Sequence, residues 1–217
     1  MIFIKHWTMN TRIFNLIIID ESGSMQSIKR EAINSVNETI QTIRAAEKMH
    51  ADQEHYVSLV TFNSDVKVIN DCVAVADVKE LTDETYQPDC CTALYDAIGL
   101  SVNALRKHVA PDDKVLVTIV TDGYENASRE WYGKAIKALV EEMRGQGWVF
   151  AYIGANHDVE SVAASISITN SISFEASECG VKKMSKRMNA CMGNWFARIG
   201  KNMSFSESDN SSFFDDF

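Results

Sequence analysis

The chain has 217 residues, of which 46% are hydrophobic and only 2 are proline, so it can bury one substantial core and falls within the usual length of a single domain. A formal net charge of -9 and a pI near 5.0 exclude a general polyanion binder, because a nucleic-acid surface needs concentrated Lys and Arg. The five cysteines (Cys72, Cys90, Cys91, Cys179, Cys191) are odd in number and lack CxxC spacing, no stretch approaches the ~20 apolar residues that cross a bilayer, and Met1 to Trp7 lacks the pattern of a signal peptide. A zinc ribbon, a secreted disulfide framework and a membrane span are therefore not expected, and a cytoplasmic protein with reduced thiols is.

Residues 1–12 read as an N-terminal extension. Within it, residues 1–8 either carry little structural role or, on the opposite reading, add an edge strand from Ile2 to Trp7. Ile13 to Ile19 is a nearly continuous apolar run rich in β-branched residues, as a central strand covered on both faces requires. It leads into Asp20-Glu21-Ser22-Gly23-Ser24. From about Met25 to Met49, Ile28, Ala32, Val36, Ile40 and Ile43 recur every three or four residues, which predicts one long amphipathic helix. His55 to Phe62 reads as a strand, Asn63-Ser64-Asp65 as a tight turn, and Val66 to Ile69 as a strand folding back on the previous one to make an antiparallel edge.

After a polar stretch containing Pro88, a helix is expected from about Ala93 to His108, stopped by Pro111. Lys114 to Thr121 is another buried strand, ending at Asp122-Gly123. A helix from about Arg129 to Arg144 is closed by Gly145 and Gly147. Then follow a strand from Trp148 to Ile153, a short helix from Asp158 to Ser165, a short strand from Ser171 to Phe174 and a closing helix from Glu178 to Gly200. Strands alternating with helices predict an α/β fold: a Rossmann-like open, mostly parallel twisted sheet with one antiparallel edge strand and helices on both faces. The domain is expected over residues 13–203, followed by an acidic, aromatic tail over 204–217 that reads as disordered.

Ligands of such sheets sit at the carboxyl ends of the strands, which singles out the loops after Ile19, before Ala93 and after Thr121. They carry Asp20, Ser22 and Ser24; Thr92; and Asp122. Two carboxylates and three hydroxyls form an all-oxygen donor set suited to Mg²⁺ or Mn²⁺. In an extended loop, positions i, i+2 and i+4 face one way, so Asp20, Ser22 and Ser24 converge if Gly23 permits the turn. Taken singly, these residues have an ordinary explanation, since Ser24 fits the N-cap of the first helix and Thr92 that of the next. Asp96, Glu125 and Asn126 lie close by. Asp96 reads as support for the site, as a surface carboxylate or as a packing residue, and Glu125 and Asn126 read as plain loop residues or as lining for a partner surface.

The order and spacing of Asp20-Glu21-Ser22-Gly23-Ser24-Met25, Thr92-Ala93-Leu94-Tyr95-Asp96-Ala97-Ile98 and Thr121-Asp122-Gly123-Tyr124-Glu125-Asn126 resemble the von Willebrand factor type A domain over about residues 13–175. The resemblance implies a metal-ion-dependent adhesion site formed by Asp20, Ser22, Ser24, Thr92 and Asp122. It implies an intracellular protein of bacterial or phage type that binds other proteins. An acidic residue of a partner would complete the metal coordination, and the partner would be an AAA+ ATPase or another complex subunit. The chain departs from its relatives at Cys90-Cys91, where they tend to carry glycine. This pair reads as small buried side chains or as a redox-sensitive part of the Thr92 loop.

Two competing functions remain open at this level. A metal-dependent phosphotransferase or hydrolase of haloacid-dehalogenase type needs a second carboxylate two positions after the first, where Ser22 stands, and no Gly-x-Ser-x-Gly elbow or phosphate-cradling glycine loop is present, so no enzyme is expected. The other is a structural assembly component with a silent metal site. On the closing helix, Val181, Met184, Met188, Cys191, Trp195 and Ile199 share a face, and Lys182, Lys183, Lys186 and Arg187 make a basic one that is either solvated or docks an acidic segment. Phe213-Phe214-Asp215-Asp216-Phe217 has the composition of a docking peptide and offers a route to self-association through a neighbouring copy's metal.

Overall fold

In the computed structural model, which describes residues 10–201 and 212–214, every residue of the first strand from Ile13 to Asp20 is buried. Its side chains alternate between two cores. Ile13, Ile17 and Ile19 point to one, and Phe14, Leu16 and Ile18 to the other. That strand, β1 (Thr11–Asp20), is flanked by β2 (Gln53–Phe62) and β4 (Lys114–Thr121), both parallel to it. β3 (Val66–Ala74) closes one edge antiparallel to β2, while β5 (Val149–Gly154) and β6 (Asn170–Ser173) extend the other edge in parallel. The sheet order is β3-β2-β1-β4-β5-β6. The strand order reverses between β1 and β4, and the crevice beyond their carboxyl ends is where open α/β sheets bind ligands.

On one face lie α1 (Lys29–Met49) and the closing helix α5 (Glu178–Gly200), packed against each other; on the other lie α2 (Leu94–Leu105), α3 (Gly133–Gly145) and α4 (Val159–Ser165). The predicted apolar face of α5 is buried throughout, and its basic residues are exposed. The mostly parallel α/β architecture with one antiparallel edge is as the sequence predicts.

α2 ends at Leu105 rather than His108 and α3 begins at Gly133 rather than Arg129, and four further departures have identifiable physical reasons. β1 starts at Thr11, inside the expected extension, because Thr11 N–H donates to Asp52 O and Arg12 pairs with Asp113. The expected single helix from Met25 is split into a 3-10 segment, Gly23–Ile28, followed by α1 from Lys29. With three residues per turn, Met25 and Ile28 fall on one side, and both are buried. β3 continues to Ala74, five residues beyond the predicted end. Register shifts near Leu59 and a positive φ of 49° at Cys72 break the alternation from which a strand is read.

The fourth concerns the expected disordered tail. Phe213 and Phe214 are buried against the α1–α5 core, and Arg187 Nη2 donates to Phe214 O. The expectations for residues 1–8, and for the rest of the tail, lie outside the described residues.

Candidate metal centre

Asp20 is the last residue of β1 and is fully buried. Its Oδ1 accepts the Ser22 N–H at 2.7 Å and its Oδ2 accepts the Thr121 hydroxyl at 2.6 Å. Ser22 Oγ lies 3.2 Å from Ser24 Oγ, which donates to Asp122 Oδ1 at 2.5 Å. A Cβ placed on Gly123 would sit 3.5 Å from Thr92 Oγ1 and 4.0 Å from Ser24 Oγ, so the third loop is beside the other two. The five residues singled out from the sequence thus meet at one place, from three loops separated by up to about a hundred positions in the chain.

Helix capping does not account for them. α1 is preceded by Ile28 and α2 by Ala93, and neither helix has a side-chain cap. Thr92 is held through its backbone: its N–H donates to Asn126 Oδ1 at 2.8 Å, and its carbonyl accepts from Asn126 and Ala127.

The carboxylates are under electrostatic stress. Burial pushes the Asp20 carboxyl up to about 6, hydrogen bonds from Thr121 and Ser22 hold it down, and the charge of Asp122 raises it further. Burial likewise raises Asp122, against the hydrogen bond from Ser24. Asp122 Oδ2 is buried with no hydrogen-bond partner. An unsatisfied carboxylate oxygen in such a place is costly, and it beds against hydroxyls that can turn their lone pairs toward a cation. The donor set therefore fits a hard divalent cation, with Asp20, Ser22, Ser24, Thr92 and Asp122 to hold it. Among the described residues no three His, Cys, Asp or Glu gather as they would in a sequestering cage.

Several residues that the sequence did not mark hold the three loops in register. Tyr86 is fully buried and its hydroxyl donates to Asp20 O. The Glu21 carboxylate accepts from Gln87 N–H, Asp89 N–H donates to Glu21 O at 2.9 Å, and Gly23 N–H donates to Cys90 O at 3.2 Å. Together these contacts strap residues 86–90 across the loop after β1. Thr121 was legible in principle, as a hydroxyl at a strand end beside Asp122; Tyr86 carried no local signal.

Asp96 and Glu125 form the opposite brace. Asp96 accepts the backbone N–H groups of Arg129, Glu130 and Trp131, at 2.7, 3.0 and 2.8 Å. Glu125 accepts from Tyr95 N–H, Ala127 N–H, Ser128 N–H and the Ser128 hydroxyl. The loop carrying Asp122 is thereby tied to the start of α2, which carries Thr92. Asp96 is buried, which excludes the surface-carboxylate reading and leaves support of the site and a packing role. Glu125 is engaged in this brace, whereas Asn126 holds the Thr92 N–H through Oδ1 and remains exposed.

The turn at Gly23 needs no left-handed backbone, and the left-handed residue beside it is Cys90, at φ 62°. One expectation about the loops is corrected: Cys90 and Cys91 are both exposed rather than small buried side chains, and Asp89 raises the Cys90 thiol by hydrogen bonding and by charge. A Cβ at positive φ costs roughly 1–2 kcal/mol, the physical ground for glycine at such a position.

Comparison with known proteins agrees with the fold. The model of the von Willebrand factor type A domain matches residues 16–187. No curated protein sequence matches the chain. Among solved structures, it is similar to the PilB minor pilin from Streptococcus sanguinis (13% identity, 86% of this chain and 62% of that one, TM-score 0.58) and to the pilus adhesin SpaC from Lactobacillus rhamnosus GG (11%, 86% and 30%, 0.61). It is also similar to proximal thread matrix protein 1 from the mussel byssus, in a structure with a zinc-occupied metal-ion-dependent adhesion site (14%, 85% and 46%, 0.56). The chain spans less than two thirds of each of these proteins, and at such identities the likeness is one of fold. With the family model covering most of its length, from within β1 to within α5, this chain belongs to the von Willebrand factor type A domain family.

Proposed function

We propose that this protein is a metal-dependent protein-binding module in which Asp20, Ser22, Ser24, Thr92 and Asp122 hold Mg²⁺ or Mn²⁺. The observation that carries the reading is the buried, unpartnered Oδ2 of Asp122 beside the hydroxyls of Ser24 and Thr92. A bound divalent ion supplies a positive charge that neutralises the two stressed carboxylates and attracts an outside anion. The serine and threonine hydroxyls, being neutral donors, leave more of that charge in place than a ring of carboxylates does. A carboxylate of a partner protein is then the natural last ligand. The zinc-occupied site of the mussel protein supports metal binding by this fold, and the pilus proteins support a role in assemblies.

Five cysteines, odd in number and without CxxC spacing, suit a reducing, cytoplasmic compartment, and the corresponding partner is an acidic segment of a complex subunit such as an AAA+ ATPase. The test is capture of partners from lysate with and without EDTA, using wild type and Asp122→Ala. Partners retained by the wild type in Mg²⁺, and lost both in EDTA and in the variant, support the reading. Partners held equally under all conditions sink it and favour an assembly component whose metal site is silent.

A further inference from the structure

Phe213 and Phe214 are separated from the end of α5 by a stretch rich in serine, asparagine and acidic residues, yet both are buried, at 6% and 4% exposure. Their rings meet edge to face at 5.0 Å. What surrounds them does more than provide an apolar surface, because two side chains grip their main chain. Phe213 N–H donates to Asn170 Oδ1 at 3.0 Å, and Asn170 is itself 5% exposed and oriented by donating from Nδ2 to Phe150 O at 3.1 Å. Arg187 Nη2 donates to Phe214 O at 3.0 Å, with its guanidinium 5.8 Å from the centre of the Phe214 ring. A buried amide reading one peptide N–H and a guanidinium reading the next carbonyl while covering an aromatic ring make a receptor for a short peptide.

We infer that the junction of β6 and α5 is a docking site for a protein segment in which two adjacent aromatic residues precede acidic ones, and that Phe213-Phe214 occupy it in cis as a detachable latch. Charge complementarity fixes the kind of occupant. The sequence continues past Phe214 with Asp215-Asp216, while Lys183 precedes Arg187 by one helical turn on α5, with Lys186 beside it, all three exposed. A partner segment of the same chemistry competes with the latch. This site is separate from the metal centre, so either reading can fail without the other.

The test uses a labelled peptide spanning Ser211 to Phe217 and fluorescence anisotropy. The receptor is the full chain carrying Phe213→Ala and Phe214→Ala, with its fold checked by far-UV circular dichroism. A connection this short holds the latch at an effective concentration of order mM, so a peptide with a Kd of about 10–100 μM should bind the wild type about 10–100-fold more weakly than the double variant. Adding Arg187→Ala should weaken binding at least about 10-fold, and EDTA should change nothing.

A folded receptor that takes up no peptide to about 1 mM overturns the inference. So does equal affinity for wild type and variant, and so does loss of binding in EDTA, which would put the aspartates on the metal instead. Should the double variant not fold, hydrogen exchange on the wild type decides: a latch lets the Phe213 amide exchange well before the amides of β5, whereas equal protection overturns the inference.

Discussion

The buried carboxylate at the end of β1 makes a counterintuitive prediction: Asp20→Asn should stabilise the metal-free protein while abolishing its response to metal. An asparagine can keep both hydrogen bonds, with Oδ1 accepting from Ser22 N–H and Nδ2 donating to Thr121 Oγ1. The threonine hydroxyl then turns its proton to Gly123 O, 3.2 Å away. What is lost is a charge that burial and Asp122 both disfavour. With the Asp20 pKa raised from 3.8 to about 6, the ionised form carries a penalty of about 3 kcal/mol above pH 7, at about 1.4 kcal/mol per unit. For a domain of this size that corresponds to about 6–12 °C in Tm as an upper bound.

The sign follows from proton counting. Between 3.8 and about 6 the folded state binds more protons at Asp20 than the unfolded one, so the wild type loses stability there as pH rises. The advantage of Asp20→Asn therefore opens across that window and is constant above about pH 7. His55 works the other way in the same range: burial lowers it to about 4, so its contribution is lost as pH falls from 6.5 toward 4. It is common to both proteins and drops out of their difference. The assay is a pair of melting curves in EDTA at pH 4 and 7.5, repeated with a Mg²⁺ titration at pH 7.5. An Asp20→Asn protein that melts below wild type in EDTA at pH 7.5, or that keeps the Mg²⁺-dependent rise in Tm, refutes the reasoning.

Other substitutions test the supports of the site. Asp96→Ala strips three backbone N–H groups of a charged acceptor and should cost about 2–3 kcal/mol in denaturant unfolding, with weaker Mg²⁺ binding by calorimetry because the Asp122 loop loses its brace. Unchanged Mg²⁺ affinity would confine Asp96 to packing. A Cβ on Gly99 would fall 2.2 Å from Trp131 Cδ2, so Gly99→Ala should lose about 1–2 kcal/mol net of its better helix propensity, with a red shift in tryptophan emission; a gain in stability would show that the ring moves freely. Cys90→Gly relieves a left-handed Cβ and should raise Tm by a few degrees, less what the more flexible unfolded chain takes back.

How much of this was legible in the sequence depended on how local the determining physics is. Ile13 to Ile19 announced a doubly buried strand because each residue contributes to the same pattern, and Asp20, Ser22, Ser24, Thr92 and Asp122 stood out because hydroxyls and carboxylates recurred where strands must end. Tyr86 did not stand out, and Asp96 stayed open among three readings, since a hydroxyl reaching Asp20 O, or an acceptor for three N–H groups on another loop, is a fact about two segments at once. The same holds for Phe213-Phe214, whose composition suits a docking peptide but names no receptor until Asn170 and Arg187 are placed beside it. Cys90 is the sharpest case. The glycine in the metal-site loop drew the conformational argument to Gly23, whereas the backbone demanding glycine-like freedom sits across the site, where Cys90 O receives the Gly23 N–H. The left-handed turn at Cys90 presents that carbonyl to the loop of Asp20, Ser22 and Ser24 while Thr92, two residues on, reaches the site from the other side. The strain at Cys90 is therefore tied to the closeness of two ligand loops, and a substitution that relaxes it has to be judged by metal affinity as well as by melting temperature.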